Sequence, residues 1–326
     1  MKNFHHSNTR PALTSYSAKP TTSLKYLSVI SILFCCLWGP GRAQEIQIRR
    51  QSAEDISLQF SGSNEHWYRL ERSLDLQDWV LEKEALFGQV TLDAIGKGTS
   101  FEFYRTVVMP SIPGPYIVGV VGDSTAAGVI HGDEVVSGGW AEGLRTYIKA
   151  ENRILNAGQA GLSSRSFLFG RMDRLKILQR TEPPFVFIQF GQIDQFSDPE
   201  EEKFTQLDDY RANLIQIVRI VREWEGIPIL VTPLPWRVFD QDGIISSPLR
   251  KRSDIVLEVA HEVGAYAIDL HRILATHYQT IGSTELRLMS AVDQYHLSEE
   301  GAIIGARLLV EALPDHLRRI LFDSAE

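Results

Sequence analysis

Cysteine is almost missing from this chain: it has two in 326 residues, adjacent at Cys35 and Cys36. Both fall in an amino-terminal apolar segment, and Leu33 and Phe34 are not the small residues that precede a lipidated cysteine. Without that segment the chain has no disulfide, thiol nucleophile or cysteine metal site to offer. A long apolar run is missing too. Residues 27–38 make a stretch of 12, well short of the roughly 20 residues that a membrane-crossing helix needs. The stretch follows a basic region and leads into Gly41, Arg42 and Ala43, the small residues and spacing of a cleavage site. Residues 1–43 are therefore expected to be a secretory leader cut after Ala43. The product would be secreted or periplasmic, with no membrane attachment after cleavage.

Positive charge is scarce in the remainder. Of 33 Lys and Arg, five lie in residues 1–43, where no acid occurs; the rest of the chain sets 28 basic against 41 acidic residues, a formal balance of −13. Binding nucleic acid or an anionic membrane requires a basic face for phosphate contacts, so neither is expected as a partner. Internal repeats, low-complexity tracts and Gly-rich phosphate loops are also lacking. His5 and His6 lie in the leader, and His131, Asp133 and Glu134 read as a solvated loop, so no cluster has metal-ligand spacing. No metal and no cofactor are expected. A 44% hydrophobic and 23% charged composition excludes disordered and fibrous classes.

Two kinds of pattern fill the chain. Residues 44–109 alternate over short distances: Ile46 and Ile48; Ile56, Leu58 and Phe60; Trp67, Tyr68 and Leu70; Trp79 and Leu81; Phe101, Phe103 and Tyr104. Five or six strands with polar breaks predict a small all-β sandwich, its aromatics more readily core than sugar-binding surface. Pro110, Pro113 and Pro115 then form a stiff boundary. Beyond it, strands at 116–121, 153–156, 185–190, 228–231 and 265–269 alternate with helices near 140–150, 166–179, 204–224, 254–263 and 298–313. That alternation predicts an α/β domain over residues 110–326, a parallel sheet covered on both faces.

The polar residues gather where those strands end. The apolar run 116–121 stops at Gly122, Asp123 and Ser124; the second strand is followed by Gly158, Gly161 and Arg165; the third by Gly191, Gln192, Ile193 and Asp194. Near the carboxyl terminus stand Asp293 and His296. A Gly-Asp-Ser by itself more often closes a turn or caps a helix. A serine nucleophile, however, needs a base to take its proton, a carboxylate to orient the base and amides to hold an oxyanion, and each kind of part is present.

Taken in order, Gly122-Asp123-Ser124, Gly161, Gly191-x-x-Asp194 and Asp293-x-x-His296 resemble the SGNH (GDSL) hydrolases. The stretch 231–240 with Gly243, residues 266–270, the block from His296 to Ala302, and Gly139-Trp140 with Leu144 resemble the rhamnogalacturonan acetylesterase branch. The resemblance spans about residues 116–313. It implies a flavodoxin-like three-layer sandwich with a central parallel sheet. It also implies Ser124 as nucleophile, His296 as base and then acid, and Asp293 as its orienting carboxylate. The amides of Ser124 and Gly161 would serve as oxyanion donors. One position departs: Ile193 stands where the family has an asparagine whose side chain completes the oxyanion hole, which leaves the neighbouring Gln192 as the candidate replacement donor. Arg165, Trp236 and Arg237 follow strand ends, where they would meet sugar hydroxyls or a uronate carboxylate.

The expected protein is thus a monomeric serine esterase acting through an acetyl-enzyme on an acetylated polysaccharide or oligosaccharide, rhamnogalacturonan or pectin-like. A short-chain general ester or lipid hydrolase is the rival substrate class. A carbohydrate-binding pseudo-esterase is the rival that Ile193 raises.

Overall fold

The computed structural model describes residues 45–50, 56–61, 67–75, 77–87, 89–92, 103–108, 114–131, 134–196, 204–290 and 293–323. The leader expected at 1–43 and the boundary prolines 110 and 113 lie outside the described residues. Six strands come first: β1 (Glu45–Arg50), β2 (Ile56–Ser61), β3 (Trp67–Ser73), β4 (Val80–Phe87), β5 (Gln89–Leu92) and β6 (Phe103–Val108). They form two three-stranded antiparallel sheets, β1-β2-β5 and β4-β3-β6. Tyr68, Leu70 and Tyr104 are buried on one face of the β4-β3-β6 sheet, and Trp67, one residue out of step, is buried on the other. Trp79 is half-buried beneath the Arg105 guanidinium, 4.2 Å from the ring centre.

The rest alternates strand and helix: β7 (Ile117–Gly122), α1 (Ser124–Ala127), a hairpin of β8 (Val129–His131) and β9 (Glu134–Ser137), α2 (Trp140–Gly143), β10 (Arg153–Asn156), α3 (Ser164–Phe169), α4 (Met172–Thr181), β11 (Phe185–Gln189), α5 (Gln192–Phe196), α6 (Leu207–Glu223), β12 (Ile227–Val231), α7 (Arg250–Glu262), β13 (Tyr266–Ile268), α8 (Leu270–Glu285), α9 (Glu299–Glu311) and α10 (Asp315–Leu321). β7, β10, β11, β12 and β13 pair in parallel in the order β10-β7-β11-β12-β13. This is the flavodoxin-like order, in which the first strand lies where the chain changes direction across the sheet. One apolar cluster, with Trp140, Tyr278 and Leu309, covers one face of the sheet. Another, with Phe167, Leu214, Val218 and Val256, covers the other. Strands buried on both faces need continuous apolar runs, which β11 and β12 supply.

Local chemistry explains the departures from the sequence reading. The single helix expected over 166–179 is two, because Gly170 caps the end of α3. Helix α8 was not expected; Asp269 opens it by accepting the Arg272 amide at 3.0 Å. His131 and Glu134, read as loop, pair with each other in the β8–β9 hairpin.

The antiparallel unit packs on the amino-terminal edge of the parallel sheet. Trp67 lies against Phe185, the first residue of β11, with ring centres 5.7 Å apart. Lys83 Nζ donates to the Ala265 carbonyl at 2.8 Å and sits 4.3 Å over Tyr266, the first residue of β13. Ser124, in contrast, follows the carboxyl end of β7, so about 13 Å of strand separates seam from serine. Trp67→Ala should open a cavity at the seam and cost about 3 kcal/mol or more in urea unfolding. An unchanged urea midpoint would show that Trp67 holds no part of the seam.

Candidate active site

Strand β7 ends on glycine because nothing else fits. A Cβ at Gly122 would run into the Gln189 carbonyl of β11 and the Ala126 methyl group. The next residue, Asp123, caps α1: its Oδ1 accepts the Thr125 amide at 2.9 Å and the Thr125 hydroxyl at 2.7 Å. Ser124 is then the first helical residue, held by strand, cap and helix together, and only 4% exposed.

Ser124 meets the two residues that the carboxyl-terminal spacing singled out. Its Oγ is 2.8 Å from His296 Nε2, and His296 Nδ1 is 2.7 Å from Asp293 Oδ2. The other carboxylate oxygen, Oδ1, accepts the backbone amides of Tyr295 (2.9 Å) and His296 (2.7 Å). Partial burial pushes the Asp293 carboxyl up, but the His296 amide, the imidazole and the Tyr295 amide outweigh it and hold the acid below its ordinary range. An ionised Asp293 accepts the Nδ1 proton, which leaves Nε2 free to take one from Ser124. Tyr295, which sequence reasoning did not single out, packs against His296 with ring centres 4.6 Å apart and planes tilted by 47°.

Beneath the serine, two buried carboxylates join three strand ends. Asp123 Oδ2 faces the Gln192 amide at 3.4 Å, linking the turn after β7 to α5. Asp194 on α5 accepts the Ser164 amide at 3.1 Å and the Ser164 hydroxyl at 2.6 Å, linking α5 to the start of α3. Arg252 reaches from α7 to the carbonyls of Asp194 and Thr205, both at 2.7 Å. Burial pushes the Asp123 carboxyl up to about 6, and the nearby Asp194 charge adds to it against the Thr125 and Gln192 hydrogen bonds. Burial likewise raises Asp194.

The remaining expected residues divide. Gly161 occupies the turn after β10 at φ 78°, a backbone that favours glycine. Among the described residues neither its amide nor that of Ser124 has a hydrogen-bond acceptor. The Gln192 side chain makes no hydrogen bond to Ser124 among the described residues. Its Nε2 donates to the Leu234 carbonyl at 2.9 Å and its Oε1 accepts the Trp236 indole at 3.0 Å, so the carboxamide braces the wall. Ile193 is half-buried on α5, and an alkyl side chain donates nothing. Trp236 is half-buried beside Tyr295, with ring centres 6.0 Å apart. Arg165 is exposed and has no ion pair or hydrogen bond among the described residues. It lines a groove of about 760 Å³ that opens beside Gly161, with Phe169, 66% exposed, and Asp209 also on its walls. Arg237 departs from expectation. It is 8% exposed and its guanidinium turns inward to Ser290 and the Asp293–His296 turn, out of reach of a substrate. Among the described residues no group of three His, Cys, Asp or Glu could hold a metal ion.

Residues 120–302 match the family model described as the GDSL-like Lipase/Acylhydrolase family. The probable rhamnogalacturonan acetylesterase YesY of Bacillus subtilis (strain 168) is 25% identical over 203 residues, which cover 60% of this chain and 91% of that one. The rhamnogalacturonan acetylesterase RhgT of the same organism is 25% identical over 217 residues, 62% of this chain and 90% of that one. The crystal structure of protein YxiM from Bacillus subtilis superposes with a TM-score of 0.54 at 18% identity, over 86% of this chain and 97% of that one. That likeness of fold extends beyond the parallel-sheet part into the antiparallel sheets, because residues 114–326 are only 213 of the 326.

The raised Asp123 carboxyl gives a pH test with a definite sign. Its value in the unfolded chain is near 3.8 and in the folded chain about 6, so between these the native state holds the extra proton. The stabilisation is complete below about pH 4 and is lost as pH rises through 6. Asp123→Asn keeps an acceptor for the Thr125 amide and removes the titration. From pH 4 to pH 7 the variant should gain about 2 to 3 kcal/mol on the wild type in urea unfolding; parallel pH profiles would refute the raised value.

Proposed function

We propose, for a chain that belongs to the GDSL-like lipase/acylhydrolase family, that it is a secreted or periplasmic acetylesterase of carbohydrate, with Ser124, His296 and Asp293 as its catalytic residues. One observation carries this reading: the unbroken path from Ser124 Oγ through the imidazole to Asp293, with contacts of 2.8 and 2.7 Å. Ser124 attacks the acetyl carbonyl as His296 Nε2 takes its proton, and Asp293 offsets the imidazolium charge. The unpartnered amides of Ser124 and Gly161 receive the oxyanion. His296 then returns the proton to the departing sugar oxygen, and water activated by the same imidazole hydrolyses the acetyl-enzyme.

The saccharide part of the reading rests on the named acetylesterase relatives and on the groove beside Gly161. An exposed Phe169 can stack on a pyranose face, and the unpaired Arg165 suits a uronate carboxylate. Among the described residues the contacts of the antiparallel unit with the parallel sheet, through Trp67 and Lys83, lie at the edge away from Ser124.

Two measurements test the proposal. Acetate release across acetylated acidic and neutral oligosaccharides should favour the acidic ones. Ser124→Ala should abolish both that release and labelling of the protein by a fluorophosphonate. A wild-type protein that neither takes the label nor releases acetate would instead be the binding protein that Ile193 brings to mind, and preference for longer acyl chains would point to a lipid or general esterase.

Ile193→Asn tests the oxyanion hole separately. One donor there is typically worth about 10²- to 10³-fold in rate. With Gln192 committed to the wall, the asparagine should hold or raise kcat; a clear fall would mean that the hole is shaped around the isoleucine.

A further inference from the structure

We propose that Arg237 is a positioning residue: by holding both ends of the turn from Asp293 to His296 it sets the direction in which the imidazole meets Ser124. This rests on the catalytic reading of Ser124 and His296 given above.

The turn needs such support. His296 ends the turn that begins at Asp293, in the nine-residue connection between the short helical turn ending at Met289 and α9, and is not on a strand or helix of its own. Proton transfer from a serine tolerates displacements of only a fraction of an ångström. The Asp293 carboxylate fixes the inside of the turn through two amides and the imidazole, but that ties the turn to itself, not to the sheet.

Arg237 ties the turn itself to the sheet, while just beyond it the Leu297 carbonyl accepts the Gly138 amide at 2.8 Å. Arg237 sits in the segment that leaves β12 through Thr232, Pro233, Leu234 and Pro235, where Leu234 is fully buried. Its Nη2 donates to the carbonyls of Asp293 at 2.8 Å and His296 at 2.5 Å, the first and last residues of the turn. Its backbone amide donates to Gln294 at 2.8 Å, between them. Nε donates at 2.8 Å to Ser290 Oγ, whose hydroxyl is in turn anchored on the Leu286 carbonyl at 3.2 Å. The guanidinium also lies over Tyr278, a buried residue of α8, 5.9 Å from the ring centre. A planar cation with donors at fixed angles can meet three acceptors at once; a lysine ammonium on a flexible stem lacks that fork. With 8% exposure the side chain cannot also reach a substrate. A buried charge that spends its donors on two carbonyls of the turn and on Ser290 beside it acts by positioning.

The test uses the full chain and a small activated acetate ester, so that saccharide binding does not enter. Arg237→Lys should lower kcat at least 10-fold and Arg237→Ala about 10²-fold or more, with KM within about twofold of wild type. Guanidinium ion in the buffer should restore part of kcat to Arg237→Ala and none to Ser124→Ala. Far-ultraviolet circular dichroism and the urea midpoint establish that each variant is folded, and Arg237→Lys decides if the alanine variant is not. Wild-type kcat in the lysine variant would overturn the proposal, as would a rise in KM that accounts for the whole loss. Full activity in Ser124→Ala would overturn the catalytic reading instead.

Discussion

The site depends on a carboxylate that never meets the substrate. Asp123 sits fully buried at the end of β7, where it caps the helix that begins with Ser124 and faces the amide of Gln192 on the next strand's turn. Withdrawing an acid from water is costly unless hydrogen bonds replace the lost hydration. Each bond that Asp123 gains fixes one piece of backbone: the start of α1 or the start of α5. Asp194 continues the pattern from α5 to α3, and Arg252 braces Asp194 from behind. Three loops at three neighbouring strand ends are thereby locked to one another before any substrate arrives, which is the preorganisation that acyl transfer requires.

Against this fixed platform the histidine arrives from elsewhere in the chain. Its turn precedes α9, and α9 packs with α2, so the base approaches the serine from the opposite side to the Asp123–Asp194 network. The serine is held by a helix cap and the histidine by a guanidinium beneath its turn, with the Gly138 amide, which donates to the Leu297 carbonyl at 2.8 Å, joining the two sides. Their meeting point, 2.8 Å wide, is where the two supports are registered against each other.

Much of this was legible in the residues. Gly122-Asp123-Ser124 and Asp293-x-x-His296 are local spacings, and a glycine forced by a neighbouring carbonyl or a carboxylate folding back on its own turn leaves a short-range trace. The parallel sheet was legible because β7, β11 and β12 are apolar on both faces and cannot be edge or surface strands. The fate of Arg237 and Gln192 was not. Their partners are main-chain carbonyls and an indole brought close only by the fold, and a backbone carbonyl has no residue type to recognise. Both residues stand beside the strand ends where substrate-facing side chains belong, so position alone suggested sugar contact for Arg237 and an oxyanion donor in Gln192. Helix α8 was hidden for a similar reason: Asp269, its cap, also reads as the polar end of β13.

The seam at the far edge of the sheet bears on how the protein behaves in solution. Trp67 belongs to the same apolar cluster as Phe185, Ile229 and Tyr266, so the antiparallel unit completes a core that the parallel sheet leaves open. A chain beginning at Tyr116 would retain every residue of the catalytic path, yet it would carry an uncovered aromatic patch at the base of β11 and β13. Such patches drive self-association. In the whole chain Trp67 covers that patch, so the first strands close the base of the parallel sheet.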